Sequence, residues 1–250
     1  MNKFMDLEEA RQAVFRDIFE ELERLYLASQ GKLLNLYYKF RRINFVFTRQ
    51  WEYPWAILNS NIREGDLVLD TGCGNSPLLF YLYKRRCLCY GLDKHFSSVF
   101  SPLSSYTIKK KIAERLSRIY PLYFLVNPHG LDGLSSSARA LRFNIKYING
   151  NLNALPFNDN TFDRIFCISV IEHLLREDML KAAGELSRIL KPQGLLIVTI
   201  DVWGTGLLWQ DFIRGSGLSL FGESDLTLPP KGKYAYNVVG FVLRKQYDKR

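Results

Sequence analysis

The chain has 250 residues, 47% hydrophobic and 24% charged, which is the composition of an ordinary globular protein with enough apolar side chain for a full core. No apolar run approaches the length of a membrane span, and a charged start (Asp6, Glu8, Glu9) does not read as a signal peptide, so a soluble, cytoplasmic protein is expected. The net charge of +9, from 34 Lys and Arg against 25 Asp and Glu, admits nucleic acid, an anionic membrane surface, a phosphorylated substrate or simply a scattered solvated surface.

In chain order, residues 3–28 place Phe4, Leu7, Val14, Ile18, Leu22 and Leu25 at helical spacing, with Phe15, Phe19 and Tyr26 beside them. The opposite face is charged, so an amphipathic helix ending near Gly31 is expected. A second, partly irregular helical stretch follows from Lys32 to Arg42. The aromatic and polar run Thr48 to Trp55 then stands upstream of a buried strand and can fold over the loop beyond it. Within that run Arg49 suits a ligand carboxylate, or else sits at the surface in an aromatic collar.

The centre of the chain is Leu67-Val68-Leu69-Asp70-Thr71-Gly72-Cys73-Gly74-Asn75-Ser76-Pro77, an apolar run closed by an acid and two glycines, with a second apolar run from Leu78 to Tyr83. This reads as strand, tight turn and helix, with glycine where a Cβ would block a turn or a ligand and with unpaired N–H groups at the helix start. Pro77 stands where a dinucleotide fingerprint has its third glycine, and the Gly-Lys-Ser/Thr of a phosphate loop is absent. An acid just before the glycines repels pyrophosphate and attracts an ammonium group. A cationic, nucleoside-like ligand is expected.

Cys87 to Leu92 is the second strand and closes in Asp93, 23 residues after Asp70. An acid about 20 residues on meets ribose hydroxyls in nucleoside-binding α/β folds, although a strand-end acid can also cap a helix. The third strand is Asn144 to Asn149, followed by Asn151 and Leu152. The 58 residues from Asp93 to Asn151 exceed the roughly 30 of a strand–helix–strand step, so an insertion is expected at about 101–137. It carries Lys109, Lys110 and Lys111 and then an apolar run from Tyr120 to Val126, able to touch phosphates or a membrane face, or to form a solvated helix and a core segment. Arg164 to Val170 is the fourth strand; a helix then runs to Leu190, and Leu195 to Ile200 is the fifth strand. Trp209 to Arg214 reads as helix, Leu218 to Phe221 as a short strand and Asn237 to Arg244 as the last strand. This alternation predicts an α/β, doubly wound, mostly parallel sheet with ligand at the strands' carboxyl ends. Cys73, Cys87, Cys89 and Cys167 lack metal-ligand spacing, so no metal site is expected, and they read as small hydrophobes in a reducing compartment.

Five motifs in this order resemble the class I S-adenosylmethionine-dependent methyltransferases with a type 11-like domain. They are Val68 to Gly74, Tyr90 to Asp93, Asn151 to Asp163, Ile168 to Leu174 and Arg188 to Leu196. The resemblance implies a seven-stranded Rossmann-like sheet in residues 55–250, with residues 1–54 as a helical extension or lid. It implies S-adenosyl-L-methionine as cofactor. Gly72 and Gly74, with Thr71 and Cys73 between and before them, would bring the backbone to the methionine moiety, and Asp70 would complement its ammonium. Asp93, with Lys94 beside it, would take the ribose. Asn151 and Leu152 would frame the adenine, and Ser169 and Val170 would line the cleft near the sulfonium. In the family Asp often stands at the Asn151 position. His173 can act as a base or shape the helix start, and Glu172 has the same two readings. No Asn/Asp-Pro-Pro-aromatic motif follows the fourth strand, and no Pro-Cys pair offers a nucleophile for cytosine. A small-molecule, lipid or glycan-type methyl acceptor is therefore expected; a nucleic-acid methyltransferase using the basic insertion, and a binding module without turnover, are the alternatives.

Overall fold

The computed structural model describes residues 1–29, 48–74, 76–94, 143–202, 209–227 and 238–247. The stretch expected to be helical at Lys32 to Arg42, the insertion at about 101–137, His95 and His129 lie outside these residues.

The chain opens not in a helix but in a strand, β1 (Asn2–Phe4). Two helices follow, α1 (Leu7–Ala10) and α2 (Ala13–Ser29), with Asp6 capping the first by accepting from the Glu8 N–H at 2.9 Å. The buried stripe of α2 is Phe15, Phe19, Leu22 and Tyr26, whereas Val14 is exposed. The whole aromatic run upstream of the central strand is helical as α3 (Arg49–Asn59), which buries Trp51, Tyr53 and Trp55. Next come β2 (Leu67–Thr71), α4 (Leu78–Lys84), β3 (Leu88–Asp93) and β4 (Lys146–Asn149). Then β5 (Phe162–Ile168) ends in a single 3-10 turn, Ile171–His173, ahead of α5 (Arg176–Ile189). The chain returns through β6 (Leu190–Asp201), α6 (Trp209–Ser216), β7 (Ser219–Leu220), β8 (Ser224–Asp225) and β9 (Val238–Arg244).

The sheet runs β4-β3-β2-β5-β6-β9-β1-β8, with β7 also on β9. The five strands from β4 to β6 are parallel to one another, and β9 is antiparallel to β6. The doubly wound fold is therefore as expected, but the sheet has nine strands rather than seven. The two extra strands, β1 and β8, are three and two residues long, too short for a two-residue periodicity to register in sequence. What holds β1 is Asn2, which is fully buried. Its amide donates to the Phe221 carbonyl at 3.1 Å and to Ser224 Oγ at 2.9 Å, and its Oδ1 accepts from the Val242 N–H at 2.6 Å.

Alternate strand residues face opposite layers. Val68, Phe166, Ile197 and Val242 pack under α2, α3 and α4, where Leu22, Trp51, Trp55 and Phe80 are buried. Leu69, Ile165, Cys167, Val198 and Phe241 pack under α5 and α6 with Met179, Leu186 and Phe212. Gly240 is needed for α3 to sit this close, because a Cβ there would lie 2.9 Å from the Trp55 ring. From β2 the chain winds outward to β3 and β4, then returns to β5 on the other side of β2. The loops leaving β2 and β5 therefore diverge at the carboxyl ends and open a crevice.

Candidate functional site

The crevice starts where β2 stops. Gly72 and Gly74 take positive φ, +63° and +43°, which L side chains adopt only under strain. At Gly72 a Cβ would also fall 2.5 Å from Val170 Cγ2, so the loop after β2 and the loop after β5 meet there with no room between them. The turn is tied to the end of β3 by two bonds. The Cys73 N–H donates to the Leu92 carbonyl at 3.2 Å, and the Gly74 N–H donates to Asp93 Oδ2 at 2.9 Å. One of the predicted ligand carboxylates thus positions the glycine loop.

Asp70 is only 2% exposed, and among the described residues its Oδ2 has no hydrogen-bond partner. Burial pushes its carboxyl up to about 8; a Ser76 hydrogen bond and the Arg49 guanidinium pull it down, and the Asp93 charge pushes it further up. A buried carboxyl oxygen without a donor is costly, and an incoming ammonium group would meet that need. The site's chemistry therefore fits the ligand expected from sequence.

The other predicted residues divide. Thr71 is buried and donates Oγ1 to the Phe166 carbonyl at 3.0 Å. Cys73 is buried with its thiol pushed up by burial, and Gly91 leaves it space. These two side chains face the interior, leaving their backbone to the crevice. Lys94 is exposed at the end of β3. Asn151 is exposed and accepts from the Asn153 N–H at 3.2 Å in a side-chain turn, while Leu152 is buried in the core beside Leu92. Val170 is half-buried against Gly72.

Ser169 leads to a group that the sequence reading passed over. Its φ is +49°, and its N–H donates to the Thr199 carbonyl at 3.0 Å. Its hydroxyl donates to Glu52 Oε1, which also accepts from Thr199 Oγ1 at 2.7 Å. Glu52 is fully buried, and its second oxygen pairs with Arg49. Arg49 was expected to meet a ligand carboxylate or an aromatic collar; it meets an internal carboxylate three residues on, with the Tyr53 ring 5.8 Å away. The signal for this was present, since an Arg and a Glu three apart share one face of a helix. Reading it required knowing that the segment is helical and buried.

Nearby, Glu172 accepts from the Asp201 N–H at 3.4 Å through Oε1, while Oε2 is buried and has no partner among the described residues. Burial pushes its carboxyl up to about 7. His173 is exposed at the end of the 3-10 turn. Among the described residues no cluster of His, Cys, Asp or Glu could hold a metal ion.

Part of the sequence, and the fold, are similar to those of known proteins. The Methyltransferase domain family matches residues 126–198. An uncharacterised protein of Methanocaldococcus jannaschii is 32% identical over 135 residues, covering 54% of this chain and 40% of the relative. The ubiquinone/menaquinone biosynthesis C-methyltransferase UbiE of Francisella tularensis subsp. novicida is 28% identical over 160 residues, 62% of this chain and 50% of the relative. The chain thus spans about half the length of the curated relatives it matches. Among solved structures, the 1,6-didemethyltoxoflavin-N1-methyltransferase of Burkholderia thailandensis, with bound S-adenosylhomocysteine, has a TM-score of 0.53 at 12% identity, over 91% of this chain and 90% of that one. That last likeness is one of fold.

A doubly wound sheet, a glycine turn after its first central strand and an acid closing the next make a Rossmann-like fold. Residues 126–198 match the Methyltransferase domain family, and the fold is the one that solved S-adenosylmethionine-dependent methyltransferases share.

Proposed function

We propose that this chain transfers a methyl group from S-adenosylmethionine to a small-molecule, lipid or glycan-type acceptor. The observation that carries the reading is the buried Asp70 oxygen without a donor, set beside a glycine turn that Asp93 holds in place. When bound, the cofactor supplies an electrophilic methyl group on a sulfonium. Asp70 receives the ammonium group, giving up its proton as it does so. Asp93 takes the ribose hydroxyls, with Lys94 exposed beside it. Asn151 and the apolar Leu152 frame the adenine, and Val170 forms the wall facing Gly72. Glu52 orients Ser169 and Thr199, and with them the end of β5 and β6 where an acceptor would lie. Glu172, with one buried oxygen unpaired there, is the group placed to take a proton from an acceptor that has one to lose. Displacement at a methyl group depends chiefly on positioning, so this rigid hydroxyl–carboxylate framework serves the reaction directly.

The small-molecule class is supported by the residues after β5, Ile168-Ser169-Val170-Ile171-Glu172-His173, which carry no Pro-Pro pair for gripping a base. It is supported also by relatives named for quinone biosynthesis and by structural neighbours named for toxoflavin and geranyl diphosphate methylation. The test is calorimetric titration of S-adenosylmethionine and S-adenosylhomocysteine into the wild type and an Asp93→Ala variant. Micromolar binding that collapses in the variant supports the reading and leads to an acceptor screen with labelled methyl groups. A folded wild type that binds neither refutes it.

A further inference from the structure

A second cavity lies at the opposite end of the sheet, at the amino ends of β2, β5 and β6, with a volume of about 310 Å³. That is at the lower bound of small-ligand pockets. Five charged side chains line it: Arg63 and Asp66 from the link between α3 and β2, Asp163 and Arg164 from β5, and Arg244 from the end of β9. Phe221 lines it as well.

Three of the five are committed within the protein. Asp163 Oδ2 accepts from the Leu67 N–H at 2.9 Å and from Lys191 Nζ at 2.8 Å. Although burial pushes the Asp163 carboxyl up, these donors hold it below the usual carboxylate range. The Arg164 guanidinium donates to the carbonyls of Ser60, Asp163 and Asn61 at 2.8, 2.8 and 2.9 Å. Asp66 Oδ2 accepts from the Arg63 N–H at 2.9 Å and stands 3.7 Å from Arg164. Both carboxylates therefore have their cations and donors, and neither is available to the remaining two arginines.

Arg244 is different. Its guanidinium lies over the Phe221 ring at 4.8 Å, which fixes its plane, yet its Nε is buried and has no acceptor among the described residues. An unmet buried donor is rare in native proteins and asks for an occupant. Arg63 shares the cavity with an exposed side chain that forms no ion pair among the described residues. A planar fork of N–H donors with a second cation beside it and an aromatic wall matches an oxyanion on a small organic body.

We propose that this cavity binds a small molecule through a phosphate or carboxylate group, with Arg244 as its primary donor and Arg63 as the second. The site lies at the far end of β2 and β5 from Asp70 and does not depend on the methyltransferase reading. Inorganic phosphate and citrate are titrated calorimetrically into the full chain in chloride buffer at matched ionic strength. Saturable binding of one or both is expected, weakened about tenfold or more in Arg244→Gln and in Arg63→Ala, since each removes a charged hydrogen bond. Asp70→Asn, at the other end of the sheet, should leave the affinity unchanged. A preference for phosphate over citrate would assign a phosphorylated ligand, and the reverse a carboxylate. If Arg244→Gln fails to fold, Arg63→Ala decides. No saturable binding above chloride, or binding equal in the folded variants, overturns the proposal.

Discussion

On the proposed reading, Asp70 makes cofactor binding a proton-linked event. With its carboxyl pushed up to about 8, the ligand-free protein at neutral pH holds this group mostly protonated. An ammonium ligand requires the ionised form, so binding must expel the proton. Between pH 6 and pH 7.5 the ionised fraction rises from about 1% to about a quarter, so the affinity for S-adenosylhomocysteine should rise roughly 25-fold over that span. Titration at pH 6.5 in buffers of different ionisation enthalpy should show release of about one proton. The same shift sets the sign of a stability effect. A carboxyl raised from 3.8 to about 8 on folding stabilises the ligand-free protein fully below pH 4. That contribution is lost as pH rises towards 8, at up to about 1.4 kcal/mol per pH unit. Asp70→Asn removes the titration. The ligand-free variant should therefore unfold at higher denaturant than wild type at pH 8, match it near pH 4, and bind S-adenosylhomocysteine poorly at both. An affinity that is flat from pH 6 to 7.5, or a variant less stable than wild type at pH 8, would refute the argument.

Gly72→Ala places a Cβ against Val170 in a left-handed backbone, so a loss of about 1–3 kcal/mol of stability and weakened S-adenosylhomocysteine binding are expected by denaturant melt and calorimetry. Glu52→Ala leaves Arg49 without its carboxylate and strips the acceptor from Ser169 and Thr199; about 3 kcal/mol should be lost in urea melts. Asn2→Ala orphans the Val242 N–H in β9 and the Phe221 carbonyl just after β7, and should lower stability by about 2–4 kcal/mol with little change in m-value. The four free cysteines are buried, with Cys87 pushed up to about 11 and Cys167 to about 12, chiefly by burial, so a thiol reagent at pH 8 should label the native protein slowly and the unfolded protein at once.

The parts of this fold that sequence disclosed are those written in local chemistry. The aliphatic run Leu67 to Leu69 reads as a strand entering the core because its three side chains favour leaving water, and Gly72 and Gly74 announce a backbone that other residues follow only under strain. Asp93 was legible as the acid closing the second strand, though its hydrogen bond to Gly74 was not. What escaped depends on partners far away in the chain. Helical spacing fits Val14 and Phe15 equally well, and only the packing of α2 over α3 and α4 selects Phe15. Asn2 reads as an ordinary polar residue until its neighbours turn out to lie 219 to 240 positions later. Glu52 reads as a surface charge for the same reason, since its two hydroxyl partners are 117 and 147 residues on.

These long-range bonds bear on how one sheet serves different acceptors. The glycine turn and Asp93 are held by β2 and β3, short-range neighbours in the same parallel unit, and α3 reaches that end through the charge of Arg49 on Asp70 and the contact of Tyr53 with Ser76. The end proposed for the acceptor is built otherwise. Ser169 and Thr199 close β5 and the body of β6, but their hydroxyls are aimed by a carboxylate brought in on α3. Gly240 gives up its side chain so that Trp55 of that same helix can lie on β9. On the proposed reading, a change at Glu52 in α3 therefore disturbs Ser169 and Thr199 first, while the backbone bonds that tie the glycine turn to β3 stay in place.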